Sequence, residues 1–95
     1  MQSLSRVNTM STVTIHTTRA CPYCIAAKAL LRRKGIGFDE INIEGDRAAA
    51  IALAQRTGRR TVPQIFIGET HVGGYDDLHA LDATGRLDEL LAGVV

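Results

Sequence analysis

Two cysteines, Cys21 and Cys24, stand three positions apart with Pro22 and Tyr23 between them, and the 95-residue chain has no others. A single pair is far too few for a small secreted scaffold held by disulfides, so the chain must fold around a hydrophobic core. At this length that means one domain. Its composition, 45% hydrophobic and 22% charged, is that of an ordinary globular protein. No apolar run approaches the roughly 18 residues of a membrane helix. With 11 basic and 10 acidic residues the net charge is +1, which makes no electrostatic case for binding nucleic acid or a membrane surface. Small molecules and other proteins are the expected partners.

The elements around the pair are legible. Val13 and Ile15 alternate with Thr12, Thr14 and His16, a strand that ends just before the cysteines. From Pro22 to Lys34 the pattern becomes helical, with Ile25, Ala26, Ala29 and Leu30 as the apolar stripe, Pro22 at the first position and Gly35 as the stop. Cys21 then falls at the helix N-cap. Residues 36–43 form a second strand whose apolar phase shifts between Phe38 and Ile41, which predicts a twist or bulge there. Asp46 caps an alanine-rich helix through Gln55 that Gly58 ends. Pro63 to Ile67 and Thr70 to Val72 form a hairpin around Gly68 and Glu69. Asp76 and Asp77 start a further helix, and Leu87, Leu90 and Leu91 mark a last short turn or helix. The order β-α-β-α-β-β-α, with an extra α in prospect, predicts an α/β fold: a mixed four-stranded sheet with helices on both faces.

Residues 1–11 hold one arginine, no acidic residue and no apolar core of the kind a signal peptide requires. They are expected to be a disordered, dispensable tail on a domain spanning residues 12–95, and the protein to be cytoplasmic. A fragment of an organelle transit peptide is the alternative, for which the tail is short. Residues 1–38 carry six basic side chains and no acidic one. Lys28, Arg32, Arg33 and Lys34 read as a solvated face at a helix C-terminus, and a docking patch for acidic proteins is the sharper alternative.

A helix start explains why cysteines would sit at this spacing. The free N–H groups and the positive end of the helix dipole stabilise a Cys21 thiolate and lower its pKa into a range of about 3.5 to 7.5. Cys24, one turn on and on the same helix face, can attack a mixed disulfide formed on Cys21. Half of a zinc site is a competing reading, but His16, His71 and His79 lack ligand spacing. Two packed structural thiols are another, and these would need neither the proline nor the helix start. Beside a β-α-β frame the pair reads as redox chemistry.

Cys21-Pro22-Tyr23-Cys24, Thr61-Val62-Pro63 and Gly73-Gly74-Tyr75-Asp76-Asp77, in this order on these elements, resemble a dithiol glutaredoxin of the thioredoxin fold, over residues 12–91. The resemblance implies glutathione-dependent reduction of protein disulfides and protein–glutathione mixed disulfides, by a monomer that needs no metal. Cys21 would be the nucleophile, Cys24 the resolving thiol, and Tyr23 would flank the groove. A cis Pro63 would leave the Val62 backbone free to pair with glutathione like an added strand. Thr61 belongs to the same motif. Gly74, Tyr75, Asp76 and Asp77 would hold the γ-glutamyl end, through backbone N–H groups and an aspartate. Of Arg56, Arg59 and Arg60, which precede this motif, Arg60 is the favoured ligand for a substrate carboxylate.

The chain departs from the family in three places. Thr18 stands where a lysine is usual, with Arg19 beside it as a replacement cation. Tyr75 occupies a position that is often cysteine, which adds bulk near the γ-glutamyl subsite. His16 replaces an aromatic on the central strand and is expected to be packed and satisfied. Two other functions compete. One is an iron–sulfur carrier using Cys21 and glutathione, which Pro22 disfavours. The other is a thioredoxin-like hydrogen donor, which residues 73–77 argue against.

Overall fold

The computed structural model describes residues 12–93. Its elements are β1 (Val13–Thr17), α1 (Pro22–Arg33), β2 (Phe38–Asn42), α2 (Arg47–Thr57), β3 (Gln64–Ile67), β4 (Thr70–Gly73), α3 (Tyr75–Ala83) and α4 (Arg86–Gly93). The expected extra helix is therefore present. The strands form one sheet in the order β2-β1-β3-β4, with β1 and β2 parallel and the other two pairings antiparallel. The tail expectation concerns residues 1–11, outside the described residues. No helix among the described residues is long and apolar enough to cross a membrane.

The sheet has two covered faces. Val13, Ile15, Ile65 and Ile67 point to one side, where Ala27, Leu30 and Leu31 of α1, Leu78 of α3 and Leu87 of α4 close the main core. On the other side Phe66 and Ile43 meet Leu53 of α2. Two-sided burial corrects the expectation for the second strand. Ile36 precedes β2, and the pairing with β1 runs from Val13↔Phe38 to Thr17↔Asn42 without a shift. The phase change needs no bulge because Phe38 packs on the main core while Ile43, just past the strand, packs under α2. The bulge lies instead between β3 and β4, where Ile65 pairs with Gly73 but Phe66 with His71. Pro63 likewise precedes its strand, and α3 begins at Tyr75.

The early cations find acids from later in the chain. Lys28 bridges to Glu40 at 3.0 Å, Lys34 to Asp82 at 2.6 Å, and Arg32 lies over the Phe38 ring. Such part-exposed pairs contribute little to stability individually, and they give two of the four cations at this end of α1, Lys28 and Lys34, an acidic partner. Glu40 also accepts from the buried Thr17 hydroxyl at 2.6 Å. That bond, then the Lys28 ammonium, holds its carboxyl below the ordinary value. One carboxylate thus joins the end of β1, β2 and α1 just where the chain leaves for the cysteines.

His16 is packed, edge-on to Phe66 with ring centroids 5.5 Å apart, but it is not fully satisfied: its buried Nδ1 has no hydrogen-bond partner. Burial pushes its pKa below the ordinary 6.5. The unfolded chain therefore takes up the proton first, so stability is full above that value and falls as pH drops through it. His16→Phe should gain on the wild type by roughly 2–5 °C in melting temperature between about pH 7.5 and pH 5.5. Parallel melting curves would show no change in the gap if the ring were indifferent to protonation.

Candidate active site

The chain leaves β1 at Thr17 and enters α1 at Pro22 with Cys21 as N-cap. The Cys21 sulfur accepts the Cys24 N–H at 3.1 Å. The two cysteines are joined in a disulfide, with Cα atoms 5.1 Å apart. Cys21 is 7% exposed and Cys24 1%, so the first sulfur is the one a partner reaches. No acidic residue lies in the first turn of α1 to offset its positive end.

The peptide bond between Val62 and Pro63 is cis, and the Val62 carbonyl oxygen lies 3.7 Å from Cys21 Sγ. Beside it a groove of about 260 Å³ is lined by Tyr23, Arg59, Thr61, Val62, Pro63, Gly74, Tyr75, Asp76 and Asp77. Three segments distant in sequence therefore share one surface: the start of α1, the turn into β3 and the start of α3. Larger hollows exist, including one of about 600 Å³ along α2, but their linings include none of Tyr23, Thr61, Val62 and Pro63, the residues beside the disulfide.

Eight of the residues anticipated from sequence line this groove, and three do not. Arg19 is exposed and turns to Glu44, its backbone N–H 2.6 Å and its Nε 3.7 Å from that carboxylate. Thr18, half-buried, is not among the lining residues. Arg60 lines the hollow along α2 instead. The groove arginine is Arg59, which the sequence ranked lower. Neighbouring side chains on an irregular segment project in different directions, and which one faces the groove depends on the left-handed C-cap at Gly58 (φ 77°) that sets the exit from α2. An acceptor such as Asp77 was the available signal, but its proximity is a tertiary fact.

Asp77 divides its role between capping and pairing. One oxygen, Oδ2, accepts the Gly74 N–H at 2.9 Å and Arg59 Nη1 at 2.9 Å. The backbone bond first, then the guanidinium, holds its carboxyl below the ordinary aspartate value. This is half of a capping box, since the N-cap is glycine and offers no side chain in return. Gly73 makes the arrangement possible: at φ 120° it sits where a Cβ would come within 2.8 Å of Asp77 Cγ and 3.1 Å of Arg59 Nη1. Asp76, one residue earlier, is exposed, and its carboxylate makes no hydrogen bond or ion pair among the described residues. Tyr75 stands against Tyr23 across the groove, ring centroids 6.3 Å apart, and His79 backs it at 5.9 Å. Among the described residues no cluster of three or more His, Cys, Asp or Glu side chains is placed to hold a metal ion.

Comparison with known proteins agrees with this geometry. The glutaredoxin family model matches residues 13–72. A glutaredoxin of Pseudomonas aeruginosa is 58% identical over 83 residues, 87% of this chain and 99% of that one. Glutaredoxin 3 of Escherichia coli is 55% identical over 82 residues, 86% of this chain and 99% of its own. Among solved structures, the Brucella melitensis glutaredoxin is 52% identical with a TM-score of 0.76, covering 86% of this chain and 89% of that one. A buckwheat glutaredoxin–glutathione complex is 31% identical with a TM-score of 0.82, covering 87% and 78%. The paired cysteines at a helix start, the neighbouring cis proline and these relatives together place the chain in the glutaredoxin family, as a thiol–disulfide oxidoreductase of thioredoxin-like fold.

Proposed function

We propose that the protein uses glutathione to reduce protein disulfides and protein–glutathione mixed disulfides, in the reducing environment of the cytoplasm. The observation that carries this reading is the position of Cys21 Sγ, on a helix N-terminus and 3.7 Å from the carbonyl of Val62, which lines a groove that ends on Gly74 to Asp77. A γ-glutamyl tripeptide has the length and polarity for such a groove. Its cysteine would pair with the Val62 backbone, and its amino end would meet Asp76 and the start of α3. Arg59 supplies the cation for a substrate carboxylate, in the role expected of Arg60. The buckwheat relative solved with glutathione supports the assignment.

In this scheme the Cys21 thiolate attacks the glutathionyl sulfur of a mixed disulfide and the protein thiolate leaves. A second glutathione thiolate then attacks the same sulfur, which regenerates Cys21 and releases glutathione disulfide. With a protein disulfide, Cys21 forms the mixed disulfide and Cys24 resolves it. That leaves the intramolecular disulfide seen here, which two glutathiones reduce.

Cys21→Ser should abolish both activities. Cys24→Ser should keep deglutathionylation within about threefold of wild type while losing more than about tenfold of protein-disulfide reduction, because only the second reaction needs an internal resolving thiol. Steady-state assays on a glutathionylated peptide and a disulfide-bonded protein distinguish the two, and equal losses in both assays for Cys24→Ser would overturn the roles.

The two aspartates should separate. Asp76→Ala is expected to cost about tenfold in kcat/KM for glutathione with little change for a small dithiol. Asp77→Ala instead should lower the melting temperature by roughly 4–8 °C near neutral pH, about 1 kcal/mol for an exposed pair and a cap. Because the folded-state pKa of Asp77 is depressed, its stabilisation is present above the ordinary aspartate value and lost as pH falls through the folded one. The melting-temperature gap should therefore shrink toward about pH 3. A gap independent of pH would remove the charge from the explanation.

A further inference from the structure

The arginine wall of the groove rests on a buried amide that the chemistry does not use. Gln64, 1% exposed, follows Pro63 as the first residue of β3. Its Nε2 donates to the Arg59 carbonyl oxygen at 2.9 Å, and its Oε1 lies 3.0 Å from His71 Nε2. With the amide oxygen as acceptor, His71 must carry a proton on Nε2, so the ring selects which end of the amide faces Arg59. The imidazole is itself fixed on β4, tilted against Phe66 with centroids 5.0 Å apart. Residues 59–63 make no backbone–backbone hydrogen bond among the described residues. Side chains therefore hold this stretch: Thr57 Oγ1 takes the Arg59 N–H at 3.1 Å and lies 3.3 Å from its carbonyl, Asp77 takes the guanidinium, and Gln64 makes the shorter bond to the carbonyl.

We propose that Gln64, oriented by His71, is a positioning residue that holds the wall from Arg59 to Val62 at the glutathione subsite and so sets the affinity of the groove without touching substrate. The inference rests on the glutathione reading above. A buried amide suits the task because each end has a fixed partner, and breaking one bond leaves a desolvated group unpaired. That same property makes single truncations ambiguous, since they cost stability wherever the pair sits.

Gln64→Leu/His71→Phe removes both polar ends together at similar volume, which is the change that buried pairs tolerate best. The double variant is expected to melt within a few degrees of wild type and keep kcat at saturating glutathione within about twofold. Its KM for glutathione should rise about fivefold, reduction by dithiothreitol should not change, and trypsin should nick faster after Arg59 or Arg60. A merely structural role would lower the melting temperature and leave KM alone. Gln64→Glu is the second variant should the first fold poorly. It keeps an acceptor for His71 and loses the donor to Arg59, so KM should again rise. A wild-type KM in either folded variant overturns the proposal for Gln64. A wild-type protein whose turnover does not saturate with glutathione overturns the reading of the groove instead.

Discussion

The site depends on one hydrogen bond at the start of α1, where the sulfur of Cys21 accepts the N–H of Cys24 at 3.1 Å. A sulfur is a weaker acceptor than the oxygen of the serine, threonine or aspartate usually found at an N-cap. The helix is consequently fastened elsewhere, by Ala27, Leu30 and Leu31 in the main core. That division lets the cap residue change chemical state without loosening the helix that carries it. The donors at the helix start are also available to a thiolate when the disulfide opens, and no first-turn carboxylate competes for them.

The groove obeys a different constraint, because its walls come from three parts of the chain that meet only when the sheet is complete. The pairing of β1 with β3 brings Val62 beside Cys21, and the bulge between β3 and β4 sets the approach to Gly73 and the start of α3. Asp77 then joins two of the walls through one oxygen atom. The substrate surface is thus only as well ordered as the junction of the hairpin with α3.

This division explains what could be read from sequence. The cap, the span of the helix, the hairpin and the three motifs were legible because each rests on local signals: a proline after the cap residue, a left-handed glycine, a turn between β-branched residues. The buried face of the helix was not, since Ala27 and Leu31 pack inward while Ile25 is exposed. The phase change in β2 misled because both faces of the sheet are covered, and alternation alone does not reveal a second core. Arg59 and Arg60 carry identical signals in sequence, and only the path out of α2 separates them. The Gln64–His71 contact spans two strands and a bulge, so no spacing rule announces it.

The distribution of charge has a consequence for how the chain comes together. Every basic residue up to Phe38 precedes the first acidic one, and the partners of Arg19, Lys28 and Lys34 come from Glu44, Glu40 and Asp82. The segment of residues 12–38 carries five basic side chains with no internal counterion, and it lacks the β3 strand against which β1 closes. Self-repulsion opposes its premature collapse. The counterions of Arg19 and Lys28 follow at once, in β2 and the turn after it, whereas Asp82 comes only with α3, after the strands that complete the sheet, so the reactive pair is made before the strand that encloses it.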